Sequence, residues 1–539
     1  MNAPTSVETL GAPPTLIGCG TVAAIPPPEA IGFKAHNLAR MAALGLPVPP
    51  AFVIGTGWCA QPQAVTPALW APALAALEDC TGLRFGDARR PLLLSVRSGA
   101  PVSMPGMMDT LLNIGLCDAT LPGLVRLTGN PRLAWDAYRR LISTYGEVVL
   151  GIEAAAFDAD LAEVCGGRGE RELDFIELRT LARRHLDTVE RRCGRPFPQD
   201  PRAQLAQAVQ AVFASWFSDK ARAYRRLKSL DERLGTAVTV QRMVFGNAGG
   251  SSGAGVGFTR QPMSGAPEPW VDFLFNAQGE DVVSGRRSAA GHQALAEVAP
   301  AVWAELLDAT QRLERAFGDM QDFEFTVEEG RLYLLQTRSG KRTPQAAARI
   351  ALDFFDAGWI DRDEALRRTA GLDAAALSVA RVVAGDGSAL RPLAQALSAC
   401  TGVAIGEIAL DEDRARARHL AGASVLLLRQ DAETRDIAAL EIAAGLLTAH
   451  GARTSHAAVV ARQLGKVCLV GCEALRIDLA LREVRLGERC LPEGSVLTLD
   501  GNEGAIFEGA AQTVQEAPLD LLQRLTALRA PAAAALAPA

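Results

Sequence analysis

The sequence has no excess of basic residues. Its 539 residues contain 55 lysines and arginines against 61 aspartates and glutamates, which gives a formal net charge of −6, and the isoelectric point is near 5.7. A protein that binds nucleic acid through its phosphates needs a basic surface. We therefore expect no nucleic-acid partner, and we interpret the basic residues Arg222, Arg225 and Arg226 as the solvated face of a helix.

The sequence also lacks a dense cysteine framework of the kind that stabilises small secreted proteins. Its ten cysteines are scattered over the whole chain. The closest pair, Cys468 and Cys472, has no second Cys or His pair beside it at the spacing of zinc ligands. The sequence therefore predicts reduced thiols in a cytoplasmic protein and no metal site at these two cysteines.

No apolar run is long enough to cross a membrane, which takes about 20 residues. The least charged stretch, residues 15–33, is interrupted by three consecutive prolines and by Glu29. Residues 1–14 have no basic start followed by an apolar run, so we expect no signal peptide. These absences predict a chain without a membrane anchor.

The length predicts more than one domain, since single cores stop growing near roughly 250 to 300 residues. Strand-like and helix-like runs alternate in mixed order and without a repeat period through residues 1–342, which indicates an α/β domain. Residues 343–397 are predicted as a helical connector and residues 398–510 as a second, small domain. Residues 511–539 are predicted as a tail helix with an Ala/Pro-rich end.

Several local elements follow from periodicity. Residues Ala134–Leu150 and Gln204–Arg226 have apolar residues at three- and four-residue spacing, so each is predicted as a single helix. The short apolar runs Gly445–Thr448 and Val467–Val470 are predicted as strands of the second domain.

A hairpin is predicted near the end of the first domain. Asp322–Val327 alternates like a strand, a turn containing Gly330 follows, and residues 331–337 form the returning strand. Asp322 and Glu324 are two apart, so both side chains leave the same face, and Gln336 on the partner strand can reach that face too. Two carboxylates and an amide oxygen suit Mg²⁺ bridging a triphosphate, although paired acids on a strand are about as often solvent-facing.

The strongest local signal surrounds His456. A glycine-containing loop leads into Thr454 and Ser455, which are good helix N-caps, and Gly465 closes the short helix that follows. His456 is therefore predicted in the first turn, where free N–H groups and the helix dipole favour an anion such as a phosphoryl group on the imidazole. By this pattern alone, a capping or buried histidine is the more common role.

Two further segments carry residues suited to phosphate. Leu94–Thr110 begins as a strand, contains Arg97 and continues as a Gly/Ser-rich loop, so the guanidinium could clamp phosphate oxygens. Without further context, a surface ion-pair partner is the favoured interpretation of Arg97. Gly32–Leu38 places Lys34 shortly after a glycine, where its ammonium could offset phosphate repulsion.

Taken together, these motifs resemble the family of pyruvate phosphate dikinase and the phosphoenolpyruvate synthases. The resemblance rests on the Thr-Ser-His-Ala-Ala-Val-Val-Ala-Arg run at 454–462 and on four segments that follow the family in order and spacing: Gly32–Leu38, Leu94–Thr110, Gln241–Arg260 and Asn276–Asp281. It implies an α/β fold in which an ATP-grasp nucleotide-binding domain precedes a small swivelling phosphohistidine domain. It covers the chain from Glu29 to about Gly509.

The resemblance also implies roles for single residues. His456 would carry the phosphate, while Lys34 and Arg97 would contact the nucleotide phosphates. Glu280 would face the ribose or the metal, although an ordinary glycine-rich turn with exposed acids is the alternative interpretation of its segment. The nucleotide and its Mg²⁺ would be held by a further group: Asp322, Glu324, Gln336 and Arg338, with the first three as metal ligands.

The implied reaction is phosphorylation of His456 by ATP with release of AMP, and orthophosphate would take the other phosphoryl group. In the full-length family a (β/α)₈ barrel that binds pyruvate or phosphoenolpyruvate follows, but about 30 residues remain here where such a barrel takes about 250. One hypothesis is therefore that a separate barrel protein holds pyruvate or another acceptor. The alternatives are a self-contained phosphotransferase acting on a small alcohol, phenol or acid, and a non-catalytic nucleotide-binding regulatory module.

Family analogy adds two expectations, a homodimer and phosphorylation of Thr454 as a regulatory event. The loop departs from the family at His450 and Arg453, and the opening motif departs from it at Phe33 and His36. We expect the loop departures to tune the pKa of the site or the choice of acceptor.

Overall fold

The computed structural model describes residues 11–20, 24–102, 104, 108–283, 293–383, 391–431, 436–451, 453 and 456–530. The chain divides into two compact units: the first comprises Met1–Ser252 with Tyr333–Thr337, and the second comprises Gly253–Leu332 with Arg338–Ala539. Helices and strands are mixed in both units, which confirms the predicted α/β class. The domain limits inferred from the sequence stay a prediction.

The first unit contains a five-stranded antiparallel sheet in the order β1-β2-β5-β3-β4. The strands are β1 (Thr15–Ile17), β2 (Ala51–Ile54), β3 (Leu94–Gly99), β4 (Thr110–Ile114) and β5 (Ala237–Arg242). Most of their residues are buried, so this sheet forms the centre of a large apolar core.

Nine helices of the described chain surround that sheet. They are α1 (Pro28–Ile31), α2 (Phe33–Ala43), α3 (Pro67–Thr81), α4 (Leu121–Thr128), α5 (Pro131–Val148), α6 (Ala154–Cys165), α7 (Phe175–Cys193), α8 (Pro201–Ser215) and α9 (Asp219–Leu227). Helix α5 confirms the helix predicted at Ala134–Leu150. It starts three residues earlier because the side chain of Asn130 accepts a hydrogen bond from the Leu133 amide and Pro131 fits the first helical position.

Two predictions about the next helical stretch are wrong. The single helix predicted over Gln204–Arg226 is two helices, α8 and α9, because Ser218 leaves helical geometry and its side chain caps the amide of Ala221. Arg225 is not solvated but buried, with its guanidinium 4.2 Å from the centre of the Trp216 ring and a 2.7 Å hydrogen bond to the Trp216 carbonyl. Burial of this arginine is compatible with its charge because the ring and the carbonyl replace water.

The second unit begins with a four-stranded sheet in the order β7-β6-β8-β9. The strands are β6 (Gly253–Phe258), β7 (Trp270–Phe275), β8 (Gln321–Glu328) and β9 (Arg331–Ser339). Every second residue of β6 is a glycine that lies opposite an apolar residue of β8, in the register Gly253↔Val327, Gly255↔Phe325, Gly257↔Phe323. A Cβ at Gly255 would lie 2.3 Å from the Phe325 ring, so glycine is required for the aromatic rings to cover this face.

The other face of the sheet carries charge. Because paired residues of neighbouring strands share a face, it presents the following residues: Trp270 and Asp272 of β7, Val256 and Phe258 of β6, and Asp322 and Glu324 of β8. We call this face, with its three carboxylates Asp272, Asp322 and Glu324, the acidic face. Val256 separates Asp272 from Glu324, so these two acids lie two strands apart, about 10 Å.

The predicted hairpin is confirmed. Strands β8 and β9 are joined at Glu329 and Gly330, which have φ angles of 49° and 76°. Positive φ at both central residues is typical of the type I′ turn whose twist suits a two-residue hairpin. In β8 the residues Phe323, Phe325 and Val327 are buried, and Asp322 and Glu324 alternate with them as the period-2 pattern predicts.

Helices fill the connecting regions of the second unit. They are α10 (Gly279–Val283), α11 (Gln293–Val298), α12 (Pro300–Phe317), α13 (Pro344–Asp356), α14 (Arg362–Arg368), α15 (Ala374–Leu377) and the tail helix α19 (Leu519–Arg529). The tail helix packs on the connector, with Leu521 and Leu525 in one apolar cluster with Leu352 and Leu377. The Ala/Pro-rich end lies outside the described residues.

The remaining domain has an eight-stranded sheet in the order β11-β21-β20-β13-β14-β15-β16-β12. Its strands are β11 (Ala394–Gln395), β12 (Leu397–Cys400), β13 (Val403–Ala409), β14 (Val425–Arg429), β15 (Gly445–Thr448), β16 (Val467–Val470), β20 (Val496–Asp500) and β21 (Ala505–Glu508). Strands β13 to β16 are parallel. The connecting helices are α16 (Glu412–Leu420), α17 (Ile437–Ile442) and α18 (His456–Gln463).

Apolar clusters cover both faces of this parallel region, and β15 and β16 have the bounds that the sequence predicts. Two smaller sheets complete the unit. One contains β17 (Leu475–Asp478), β18 (Glu483–Leu486) and β19 (Arg489–Pro492), and the other contains β10 (Val379–Val383) and β22 (Gln512–Glu516). Within the described ranges, no helix has the length and apolarity that crossing a membrane requires.

Candidate functional site

The first unit joins the two segments predicted to contact phosphate. Gly32 precedes α2 with φ 79° and ψ 154°, a backbone region that is essentially restricted to glycine. Its Cα packs so closely on β3 that a Cβ would lie 2.0 Å from the carbonyl oxygen of Gly99. The amide of Phe33 also donates to the carbonyl of Ala100 at 3.0 Å. Lys34 is two residues from this junction on one side and Arg97 is two residues from it on the other.

Helix α2 also fixes the part of β9 that belongs to the first unit. The buried side-chain amide of Asn37 donates to the carbonyl of Thr337 at 2.8 Å, and the amide of Leu334 donates to the carbonyl of Pro47 at 2.7 Å. Gln336 lies next to Thr337 and is half-buried. Lys34 of α2, Arg97 of β3 and Gln336 of β9 therefore lie on connected elements of the first unit. Helix α2 packs on β3 at Gly32 and is hydrogen-bonded to β9 through Asn37.

The exposure of these side chains suits a site for an anion. Lys34 is exposed and Arg97 is half-buried at the centre of β3, where its neighbours across the sheet are Thr239 and Thr110. Two cations held by rigid elements can offset the charge of a polyphosphate. Of the two departures in the opening motif, His36 has a structural contact: its Nδ1 lies 2.9 Å from the carbonyl oxygen of Pro26.

Of the two predicted segments around Glu280, Gln241–Arg260 contains the strand β6 (Gly253–Phe258), and Asn276–Asp281 runs into α10, which contains Glu280. The carboxylate of Asp281 accepts a 3.1 Å hydrogen bond from the amide of Gln278 and so caps the start of that helix. The side chain of Glu280 lies outside the described part of the structure, as do Ser103 and residues 105–107 of the loop after Arg97.

On the acidic face, Asp322 and Arg338 form an ion pair of 2.8 Å between Oδ2 and Nε. Burial raises the pKa of Asp322, and the nearby Glu324 adds to the increase, while Arg338 partly offsets it. Asp322 and Glu324 are therefore two carboxylates that repel each other in a poorly hydrated place. A divalent cation would relieve that repulsion.

The chemistry of these donors fits Mg²⁺, which prefers oxygen ligands and usually takes only one or two carboxylates from the protein together with phosphate oxygens. Among the described residues no group of three or more His, Cys, Asp or Glu side chains is arranged to hold a metal by itself. Gln336, the third predicted ligand, belongs with the first unit, whereas Asp322 and Glu324 belong with the second.

His456 is the first residue of α18, as predicted, and α18 follows the carboxyl end of the parallel strand β15. In open α/β sheets, ligands bind beyond the carboxyl ends of the strands. Ala458 and Ala461 anchor the helix in the apolar core of its own domain. The His456 side chain and the residues Thr454 and Ser455 lie outside the described part of the structure, so the predicted N-caps and the regulatory role of Thr454 stay predictions.

Arg453, three residues before His456, lies on the acidic face. Arg453 donates from Nη2 to Oδ1 of Asp272 at 2.9 Å, and its guanidinium lies 4.6 Å from the centre of the Trp270 ring. The side chain of Asp272 is 2% exposed and that of Arg453 is 22% exposed. This ion pair joins residues 181 positions apart, and it connects the domain of His456 to the sheet that carries Asp322 and Glu324.

Arg462, near the other end of α18, contacts the same sheet. Its guanidinium lies 5.3 Å from the Phe258 ring and 5.4 Å from the Trp270 ring, and its Nη2 donates to the carbonyl of Ala399 at 2.8 Å. Burial lowers the pKa of Arg462, and the acids Asp322 and Asp272 oppose that change. The helix of His456 is thus flanked on both sides by arginines that lie against Trp270.

The sequence analysis missed Asp272 and Trp270. A signal for Asp272 was present, because it is the one charged residue in the apolar run Trp270–Phe275 and therefore required a buried partner. It also missed Asn37, which lies one helical turn after Lys34 on the same face of α2.

Comparison with protein-family models gives two matches. Residues 63–293 and 290–357 match the model described as "Pyruvate phosphate dikinase, AMP/ATP-binding domain". Residues 422–504 match the model described as "PEP-utilising enzyme, mobile domain". The second match contains β14 to β20 and therefore α18, and the first contains β3 to β9.

Curated relatives match over most of this chain. Pyruvate, phosphate dikinase 2 of Zea mays is 42% identical over 491 residues, which cover 89% of this chain and 56% of the relative. The pyruvate, phosphate dikinases of Clostridium symbiosum and Rhizobium meliloti (strain 1021) are each 41% identical, covering 90% of this chain and 57% and 56% of the relatives. This chain therefore spans little more than half the length of the curated relatives that it matches.

Proposed function

Because this chain belongs to the pyruvate phosphate dikinase family, we propose that it is an ATP-dependent phosphotransferase that loads a phosphoryl group from ATP onto His456. The family match supports ATP as its substrate and agrees with the predicted ATP-grasp region followed by a phosphohistidine domain. The activity of the whole chain, its acceptor and its partners are part of this proposal.

The proposed first step forms a bond between one imidazole nitrogen of His456 and the β-phosphorus of ATP. The bond between that phosphorus and the oxygen bridging to the α-phosphate breaks, and the electron pair leaves with AMP. Orthophosphate then attacks the terminal phosphorus, so that pyrophosphate leaves and one phosphoryl group stays on His456. Catalysis in such transfers comes mainly from positioning and from charge stabilisation.

The residues of this chain would supply that stabilisation. Lys34 and Arg97 would bind phosphate oxygens, and Arg338 would hold Asp322 in its ionised form and in place. Asp322 and Glu324, with the predicted amide ligand Gln336, would hold Mg²⁺, which when bound neutralises part of the phosphate charge. Glu280 would contact the nucleotide as the family pattern implies.

One observation carries the proposal more than any other. The ion pair with Asp272 holds Arg453 on the acidic face, and that face carries Asp322 and Glu324. His456 follows Arg453 by three residues, which span at most about 11 Å. A histidine at the start of a helix, three residues after an arginine bound to the sheet of the paired acids, fits phosphoryl transfer from a bound nucleotide.

For the second half of the reaction we propose an acceptor held outside the described chain. The phosphoryl group would pass to pyruvate or another acceptor on a barrel domain, which a separate subunit would supply. The connector α13 to α15 would allow the phosphohistidine domain to travel between the two places. We further propose a homodimer, a regulatory phosphorylation at Thr454 and a reducing, cytoplasmic location, the last supported by the ten unpaired cysteines.

The test is to incubate the purified protein with Mg²⁺ and ATP labelled at the β or the γ position, with and without orthophosphate, and to measure acid-labile label on the protein together with AMP. We expect β label under both conditions, and γ label that is lost when orthophosphate is added. His456→Ala should abolish the label, whereas His450→Ala, a matched control in the same loop, should retain it.

Three outcomes would contradict the proposal. Absence of label on the wild type under every condition would leave a nucleotide-binding regulatory module. Label that persists in His456→Ala would move the phosphorylated residue elsewhere. Transfer of the label to a small alcohol or phenol without a second protein would favour the self-contained phosphotransferase.

A further inference from the structure

We propose that Arg453 is a positioning residue for the phosphorylation of His456, because its ion pair with Asp272 and its stacking on Trp270 hold it on the acidic face three residues before His456. The inference rests on the proposed function and adds a residue to it. It concerns a position at which this sequence departs from the family pattern.

The ion pair between Arg453 and Asp272 is largely shielded from solvent. Asp272 is almost completely buried in the middle of β7, and Arg453 supplies a 2.9 Å hydrogen bond from a charged donor. Within the described residues, the other hydrogen-bonded arginines of this domain donate to groups of their own domain, and Arg453 is the one whose hydrogen bond reaches the acidic face. A buried carboxylate that loses its partner is strongly destabilised. Separation of the loop from the sheet would therefore leave Asp272 without this charge.

Trp270 fixes the orientation of the Arg453 side chain. The guanidinium of Arg453 lies over its ring at 4.6 Å, and that of Arg462 lies at 5.4 Å from the same ring. Cation–π contacts with tryptophan strengthen when they are desolvated. Both arginines of the segment 453–462 therefore bind one aromatic side chain, which restricts rotation of α18 as well as its distance from the sheet.

The Arg453–Asp272 contact is not needed to fold the domain of His456. The domain of His456 has its own apolar core on both faces of its sheet, and α18 is anchored there through Ala458 and Ala461. Arg462 is tied to the same domain by its hydrogen bond to Ala399. Loss of the Arg453 side chain should therefore change the position of the loop and leave the domain folded.

The experiment is a double-mutant cycle of Arg453→Met and Asp272→Asn, measured as the single-turnover rate at which β-labelled ATP phosphorylates His456. Methionine retains the length of the side chain and removes the charge. Each single variant should reduce the rate about tenfold or more, and the double variant should be no slower than the worse single variant, since contacting residues are not additive. The affinity for ATP should stay within about twofold of the wild type, because neither residue is assigned to the nucleotide.

Two further measurements separate positioning from other roles. Arg453→Lys should restore part of the rate, because an ammonium can pair with Asp272 without reproducing the planar stack. Hydrogen exchange in the peptide that contains β7 should increase in Arg453→Met and stay unchanged in Arg476→Met, a control whose guanidinium bonds only to backbone carbonyls of its own domain.

The outcomes are distinct from those of the proposed function. If the wild type forms no phosphoenzyme while β7 still loses protection in Arg453→Met, the proposed function fails and the docking contact stands. If the wild type is phosphorylated and Asp272→Asn has no effect, or if the two substitutions are additive, Arg453 does not act through Asp272 and the inference is overturned.

Discussion

Replacement of Gly32 by alanine should separate the two segments that carry Lys34 and Arg97. Gly32 has φ 79° and ψ 154°, and its new Cβ would lie 2.0 Å from the carbonyl oxygen of Gly99. The Gly99 carbonyl belongs to β3, which pairs with a strand on each side, so it has little freedom to move. To reach even 3.0 Å, the shortest distance that real Cβ contacts show, α2 must move by about 1 Å away from β3.

The expected loss of stability in Gly32→Ala has two parts. A side chain in this backbone region costs about 1 to 3 kcal/mol, and forcing an extra group into a packed place costs about 1 to 3 kcal/mol more. The matched control is Gly129→Ala in the same unit. Gly129 ends α4 with φ 61° and has nothing within 4 Å of its Cβ position. Gly129→Ala should therefore lower stability only by the cost of placing alanine in the left-handed backbone conformation, about 1 kcal/mol.

The assay is hydrogen exchange of the amides of β3 and α2, which measures the free energy of opening in that region without assuming that the two units unfold together. The rate of phosphorylation by ATP is measured alongside. A displacement of about 1 Å at a site of phosphate contacts can cost about 100-fold in rate, whereas Gly129→Ala should leave the rate unchanged.

A result that refutes this reasoning is easy to recognise. If Gly32→Ala loses no more stability than Gly129→Ala and is phosphorylated at the wild-type rate, then the close approach of the two backbones does not position the site.

Three other substitutions test separate features. Asp136→Asn should lower the free energy of unfolding by about 3 kcal/mol at neutral pH, because Asp136 pairs with two arginines in a buried place. Burial alone would raise the pKa of Asp136, but the two arginines have the larger opposite effect. The pKa of Asp136 in the folded state therefore lies below its ordinary value of 3.8. The stabilisation is therefore present above pH 3.8 and is lost as the pH falls through the folded-state pKa, where acid unfolding curves of variant and wild type should converge. Phe325→Ala should cost about 3 to 5 kcal/mol in urea unfolding, since it uncovers the backbone of Gly255 and leaves a cavity. Asp322→Asn should weaken binding of Mg²⁺–ATP about tenfold or more in calorimetric titration and leave metal-free ATP less affected; equal losses for both ligands would show that Asp322 holds no metal.

Local patterns predicted the elements that carry the candidate site. The alternation of Asp322 to Val327 predicted a strand, and its acids do share one face. The loop before His456 predicted a helix start, and α18 begins at that residue. These predictions succeed because turn, cap and periodicity depend on neighbours in the chain.

The predictions that failed depend on contacts or caps that a periodic apolar pattern does not reveal. Arg225 was interpreted as solvated because a helical wheel contains no information about Trp216, which covers it. The break between α8 and α9 follows from a cap at Ser218 that competes with a continuous apolar pattern. In the same way, the pairing of Arg453 with Asp272 has no local sequence signature, although a lone acid in an apolar strand indicates that some partner must exist.

The glycines of β6 have a consequence for how its sheet assembles. Because Gly253, Gly255 and Gly257 repeat every second residue, a shift of β8 by two residues would still place aromatic rings over glycines on that face. Strands of this kind specify their pairing weakly. On the opposite face such a shift would bring Asp322 opposite Val256 and Glu324 opposite Ala254, and would carry both acids away from Phe258 and its neighbours. The observed register is therefore the one that brings the residues proposed to bind metal and nucleotide beside Phe258 and its neighbours.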